Sequence, residues 1–495
     1  MLLNFCQALL PALTATNGQQ ELVCWPATAG SPAVRVSAAA LRQQMAATQA
    51  ALDAQGVRPG QPVLVLVPMS PALLVALLAL LSLGAVPVLP PAGASALALW
   101  KLMRHPGPRA AVVAARVPRR TQWLARLTGR RLLPLPTSDV SPPHRALLAW
   151  QPQLVPAAQP ALVSYSSGST GGGRAHAVQR SHQVLLAQHA ALKKAFPPRP
   201  AQRDFPLFPN VLLHNLAAGI TTIIPDLPWA AGWSKFVPAR VLAQLAEERV
   251  TTLTGNVFYF QKLLAHPTVS PASFPLVQAV GVGGSPVPES LLPSLQRVFP
   301  NAECYVIYGC SEAEPIAVRR AEAAPTDPRR GYCVGAVHSD ITLRLAAPQP
   351  LWLPGHLNSS ASPLSAGEIQ VQGPHVARPS GAEWLATGDY GYLDAAGQLW
   401  LVGRRGAGGP VRGIWHYQVE HVARQAAGGT LVAARPAANK LAFDLFVQGT
   451  AMVERAVRQA LTDAFGADIL GTLHLRDHLP VDGRHFSKIR YDLLE

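Results

Sequence analysis

The run SYSSGSTGGGRAHAVQRSH occupies residues 164–182. Five of its first ten residues are Ser or Thr, and Gly168, Gly171, Gly172 and Gly173 run between them. Ala161-Leu162-Val163 before it reads as the end of a buried strand, and HQVLLAQHAALKKAF after Ser181 is helical in composition. Strand, hydroxyl- and glycine-rich loop, then helix suits a polyphosphate. Glycines let backbone N–H groups come close, and hydroxyls add donors. A flexible surface loop has the same composition, so the choice falls to the rest of the chain.

At 495 residues the chain should fold as two or more domains. Hydrophobic residues make up 49% and charged residues 14%, which excludes general disorder. A net charge of +15 raises nucleic acid as a partner. The basic residues are mostly arginines spread singly, however, apart from Arg116–Arg131 (RVPRRTQWLARLTGRR), and no zinc-finger or RNP pattern occurs. That run is expected to be a solvated helix face, and no nucleic-acid partner is expected. Cys6, Cys24, Cys304, Cys310 and Cys333 form no C-x-x-C pair, which favours buried thiols in a reducing compartment. MLLNFCQALLPALTATNG lacks a positive n-region and reads as an amphipathic opening helix, so the cytoplasm is the expected location.

Ala39–Leu52 reads as a helix and Val63–Val67 as a strand after the Pro59-Gly60 turn. Ala72–Leu89 is uncharged over 18 residues, long enough to raise a transmembrane helix. Ser82-Leu83-Gly84 looks like a helix end and Ala85–Leu89 like a strand, so a buried helix feeding a buried strand is expected, with no stable membrane insertion. Further strands are expected at Ala110–Val113, Asp204–Phe208, Thr221–Pro225, Val250–Thr254 and Leu276–Gly283, with helices at Leu212–Gly219 and Pro238–Glu248. This alternation argues for α/β architecture with mostly parallel, helix-covered sheets.

Gly168, Gly173 and Arg174 nearly fit the P-loop G-x-x-x-x-G-K-[ST], but Arg174 replaces the lysine and Ala175 the metal-binding hydroxyl. What the loop resembles is [YF]-[TS]-S-G-[ST]-T-G-x-x-K, the phosphate loop of the adenylate-forming superfamily. Five further motifs follow in that superfamily's order. Gly283-Gly284-Ser285 precedes YVIYGCSEAEPI, which matches Y-G-x-[TS]-E at Tyr308, Gly309, Ser311 and Glu312. LATGDYGYLDAAGQLWLVGRR carries T-G-D at Thr387–Asp389 and G-R at Gly403-Arg404. The tail LPVDGRHFSKIRYDLLE places Lys488 where the superfamily has a lysine. The resemblance spans roughly residues 55–495. Within the superfamily, DFPLF, IIPD, YGCSEAEPIA and the PVDGRHFSKI tail are most like the β-lactone synthetase of bacterial long-chain olefin biosynthesis.

The resemblance implies a large domain, residues 1–403, and a small mobile α+β domain, 404–495. It implies ATP and Mg²⁺, and a fatty-acid-like carboxylic acid activated as its adenylate and closed to a β-lactone. Ser166, Ser167, Gly168, Ser169, Thr170 and Gly171 would grip the phosphates, with Arg174 in the lysine position. Arg is a planar fork and Lys a point charge, so that position changes geometry while keeping charge. Gly283, Gly284, Ser285, Tyr308, Gly309 and Ser311 would hold the adenine, Asp389 the ribose, Arg404 the ribose or the phosphates, and Thr170 and Glu312 the metal. Lys488 would stabilise the reacting carboxylate and α-phosphate. Val211–Leu216 and Trp229–Phe236 are candidates for an acyl pocket or for ordinary core. Gly406 stands where a hinge acid is usual, and Ser487 replaces the glycine before the lysine. These departures keep two alternatives open: a CoA or carrier-protein ligase, and a non-catalytic nucleotide-binding relative. Association with other enzymes of lipid biosynthesis is compatible with the resemblance, which fixes no oligomeric state.

Overall fold

The structure is a computed structural model that describes residues 1–14, 18–27, 32–91, 94–104, 108–114, 130–135, 150–165, 176–228, 235–321, 326–355, 365–483 and 486–494. The glycine- and hydroxyl-rich loop (Ser166, Ser167, Gly168, Ser169, Thr170, Gly171 and Arg174) lies outside the described residues. So do most of the arginine run and residues 229–234. The described residues form two compact units, one of 1–165, 176–250 and 374–379, the other of 251–373 and 380–494.

In the first unit, Val63, Leu64 and Val65 are buried in the strand Pro62–Leu66. It pairs in parallel with Val86–Val88 and Ala110–Val113, and the last pairs with Arg131–Pro134. Val86–Val88 pairs on its other side with Pro160–Tyr165. Such runs, apolar on both faces, are what a parallel sheet buries. The uncharged stretch is the helix Pro71–Ser82, opened by the Ser70 side chain and by Pro71 in the first turn, and then the strand Val86–Val88. Leu74, Leu78 and Leu81 enter one core with Phe5, Leu41 and Leu216, while Ala76, Ala79 and Leu80 enter a second with Val63 and Val112. Among the described residues no helix is long and apolar enough to cross a membrane. Leu212 and Leu216 of the helix Pro209–Ala218 are core residues, which is the ordinary reading of that run.

One local expectation is corrected. The chain does not pass from the loop directly into the helix His182–Ala195. The strand Ala177–Ser181 comes first and pairs antiparallel with Pro160–Tyr165, and Ser181 then caps the helix. The two strands of this hairpin flank the phosphate-loop sequence.

The second unit carries the other motifs. Thr252–Asn256, Ala279–Gly283 and Glu303–Cys310 are parallel. Beyond them the sheet turns antiparallel through Ala313–Arg320, Tyr332–Val337, Gln398–Arg404, Leu385–Leu393, Ser365–Gln372 and Thr342–Pro350. The α/β class therefore holds, with mixed sheets. The Y-G-x-S-E loop is only the two residues Ser311-Glu312 between paired strands. After Arg404 come the helices His416–Ala426 and Ala451–Phe465. They pack on a three-stranded sheet of Val432–Pro436, Phe443–Gln448 and Leu470–Arg476 around Val419, Phe443, Leu445 and Leu461.

Candidate active site

Within the second unit, a cavity is walled by Gly284–Val287, Tyr308-Gly309, Asp389 and Arg404, by the helix residues Tyr417, Glu420 and Arg424, and by Ser487–Ile489 and Tyr491. Of the residues singled out in the sequence, Gly284, Ser285, Tyr308, Gly309, Asp389, Arg404 and Lys488 meet here. Gly283 ends the strand just before the wall, and Ser311 and Glu312 sit in the turn just after it.

Antiparallel register sets Asp389 opposite Arg404. Gly388 precedes Asp389 at φ +78°, a conformation that favours glycine, and its carbonyl accepts from the Arg405 N–H at 2.7 Å. Arg404 Nη1 donates to Asp389 Oδ1 at 2.7 Å and Tyr308 Oη donates to Oδ2 at 3.0 Å. Asp389 is 7% exposed, so both bonds form away from water. Each carboxylate oxygen keeps a second lone pair, enough to accept from two vicinal hydroxyls. Burial, then the Asp389 charge, push the Tyr308 hydroxyl well above its usual pKa, so it stays a donor.

Arg404 is held from behind as well. Its backbone N–H donates to His416 Nε2 at 3.0 Å. Burial and the nearby guanidinium lower the His416 pKa to about 3, so the ring is neutral. A Cβ on Gly403 would stand 2.7 Å from Trp415 and 2.9 Å from His416, so the glycine of the G-R motif makes room for these rings.

Lys488 is half-buried in the same wall. Burial lowers its pKa and Arg404 adds to that, while Asp482 and Asp389 pull it back. Such a cation, short of solvent and near two carboxylates, suits a group that meets a negative ligand.

Among the described residues, the buried Ser285 Oγ, Ser487 Oγ and Arg424 Nη2 on the cavity lining have no hydrogen-bond partner. Buried polar atoms are ordinarily satisfied, so unpaired ones along a cavity mark where a polar ligand belongs. With Val287, Val306 and Leu401 along the wall, the lining fits a nucleotide: apolar against a base, polar at a ribose and phosphate. Among the described residues no three His, Cys, Asp or Glu side chains converge. Mg²⁺ shared between one carboxylate and phosphate oxygens needs no such cluster.

Sequence reasoning gave no role to Tyr417, Glu420, Arg424 or Tyr491. It also assigned Tyr308 to the adenine and not its hydroxyl to Asp389. Nothing local to these residues signals the contacts, which join positions far apart in the chain.

This fold and cavity define an adenylate-forming enzyme, and the chain belongs to the AMP-binding enzyme family, whose model matches residues 15–379. It is an ATP-dependent, AMP-forming ligase. It is 30% identical over 431 residues to an olefin beta-lactone synthetase of Stenotrophomonas maltophilia, covering 77% of this chain and 75% of that one. It is 27% identical over 442 residues to the olefin beta-lactone synthetase of Xanthomonas campestris pv. campestris, covering 80% and 78%. Among solved structures, ATP-bound MatB from Rhodopseudomonas palustris superposes with a TM-score of 0.76 at 18% identity, covering 99% of this chain and 98% of that one.

Proposed function

We propose that the protein activates a 2-alkyl-3-hydroxy fatty acid with ATP and closes it to a β-lactone. The observation that carries the nucleotide half is the meeting of Asp389, Arg404 and Lys488 in one wall beside unpaired buried donors. The lactone half is supported by the likeness to the two olefin beta-lactone synthetases.

In the first step a carboxylate oxygen attacks the α-phosphorus of ATP and pyrophosphate leaves. Asp389 and Arg404 hold the ribose, Tyr308 and the Gly283–Ser285 backbone hold the base, and the loop hydroxyls with Arg174 hold the phosphates. The Lys488 ammonium neutralises charge developing between the carboxylate and the α-phosphate. Glu312 and Thr170 would hold Mg²⁺, which spreads charge over the phosphate oxygens. In the second step the substrate's own β-hydroxyl attacks the acyl carbonyl, gives up its proton, and AMP departs as the four-membered ring closes. The attack is intramolecular, so its advantage is proximity, and no thiol has to enter. Residues 404–495 would act as the small domain, with Gly406 and Gly408, both at positive φ, as its pivot.

The test is product analysis after mixing the protein with ATP, Mg²⁺ and a 2-alkyl-3-hydroxy fatty acid, with and without CoA. A β-lactone with AMP and pyrophosphate in both mixtures is the expected result. A thioester that forms only with CoA would replace this reading by a CoA ligase. Absence of pyrophosphate over a broad panel of carboxylic acids would replace it by a non-catalytic nucleotide binder.

A further inference from the structure

Glu420 is a buried carboxyl in the cavity wall for which the proposed chemistry has no use. It is 4% exposed, and its Oε1 accepts both the Ala434 N–H at 2.9 Å and the Tyr491 hydroxyl at 2.8 Å. Tyr491 lies three residues beyond Lys488. Between them the tail is a short paired segment. The Asp482 N–H donates to the Lys488 carbonyl at 2.9 Å, Val481 bridges Ile489, and the Arg490 N–H donates to the Pro480 carbonyl at 2.9 Å. These bonds fix the tail's shape but only against itself. The Tyr491–Glu420 bond ties it to the helix His416–Ala426, whose residues 416–424 are all buried.

That helix is in turn fixed to the strands that carry the ribose side. Gln418 Nε2 donates to the Arg329 and Trp352 carbonyls, His416 receives the Arg404 N–H, and His421 contacts the Gly331 carbonyl at 2.8 Å. A path of direct contacts therefore runs from the Asp389–Arg404 pair through one buried helix to the residue three places after Lys488.

We infer that Glu420 and Tyr491 are a positioning pair, whose hydrogen bond holds the Lys488 ammonium in register with the Asp389–Arg404 side of the nucleotide. The inference rests on the role of Lys488 proposed above. Neither residue touches the reacting atoms in this account. Their effect passes through the placement of Lys488, and small displacements of a charge donor cost much of its effect. Glu420 needs only to accept at Oε1, so an amide oxygen of the same shape serves. Tyr491 needs only its hydroxyl, since its ring is already packed edge-on to His416.

The experiment measures pyrophosphate release and ATP affinity in Tyr491→Phe, Glu420→Gln, Lys488→Ala and the Tyr491→Phe/Lys488→Ala double variant, with ATP, Mg²⁺ and a 2-alkyl-3-hydroxy fatty acid. Tyr491→Phe is expected to slow release about 10-fold, the scale of one lost hydrogen bond that sets geometry. ATP affinity should stay as in the wild type, and Glu420→Gln should keep most of the rate. In the Lys488→Ala background, Tyr491→Phe should cost nothing further, because there is no ammonium left to place. A role confined to the fold would instead slow both backgrounds alike, and that outcome overturns the inference. Wild-type release by Tyr491→Phe, with Lys488→Ala slow, overturns the positioning pair while leaving Lys488 in place. Wild-type release by Lys488→Ala overturns both.

Discussion

The two sides of the cavity are built differently. On the ribose side, Tyr308, Asp389 and Arg404 stand on long paired strands and bond to one another at 2.7–3.0 Å. On the side of Lys488 the backbone is a short tail near the C-terminus, tied by an isolated bridge, a few backbone hydrogen bonds, the Tyr491–Glu420 bond and the packing of Ile489, Tyr491 and Leu494. Sheet-held groups are preformed and suit binding. A tail outside the long ladders is displaced at less cost than a sheet strand and suits a charge that matters at one step. Changes on the first side should therefore read out as affinity, and changes on the second as rate.

The largest effect expected is on the tail. Lys488→Ala should slow pyrophosphate release on the order of 10²- to 10³-fold, as for other positioned charge donors, with ATP affinity within about twofold. Stopped-flow release alongside calorimetry checks both halves. Next is Asp389→Asn, which should weaken ATP binding roughly 10- to 100-fold by removing the charge and one acceptor oxygen. The structure adds a second consequence. Asp389 is the counter-charge of a buried guanidinium, so Asp389→Ala should also cost about 3 kcal/mol of stability, visible as a lower Tm. If Asp389→Asn left calorimetric affinity unchanged, the contrast between the two sides would fail.

Much of the ribose side was legible in the sequence because its motifs are contiguous. Thr387–Asp389 and Gly403-Arg404 sit on two arms of one hairpin, joined by a turn at Asp394–Gly397. Alternation of apolar runs and helical stretches likewise gave the α/β class. The strand Ala177–Ser181 was missed because AVQRS is short and polar, and its partner is fixed only once the chain has folded back. Glu420 and Tyr491 were out of reach for a stronger reason. They lie 71 residues apart, and nothing around either one encodes the other.

A smaller effect, spread over both units, concerns pH. Burial lowers the pKa of His182 and His421 to about 4 and of His214 and His416 to about 3. Between those values and about 6.5 the unfolded chain binds protons that the native protein does not, so stability falls as pH drops through that window. Glu420 works the other way. Burial pushes it up to about 8, so the native state keeps a proton the unfolded chain has lost, and acidification from 8 towards 4.5 favours folding at that one site. Four histidines outweigh one carboxyl, so Tm should drop between pH 6.5 and 4.5. A Tm that stayed level or rose there would show that these rings are not held neutral.

The contrast between a binding side and a rate side is tested most directly by supplying Lys488→Ala with a chemically prepared acyl-adenylate of a 2-alkyl-3-hydroxy fatty acid. Adenylation is then bypassed, and ring closure needs only the substrate's own hydroxyl and the pocket that holds it. The variant is expected to convert the preformed adenylate at close to the wild-type rate while remaining slow with ATP and the free acid. A variant equally slow on both would contradict the account, since Lys488 would then be serving the second step or the fold itself.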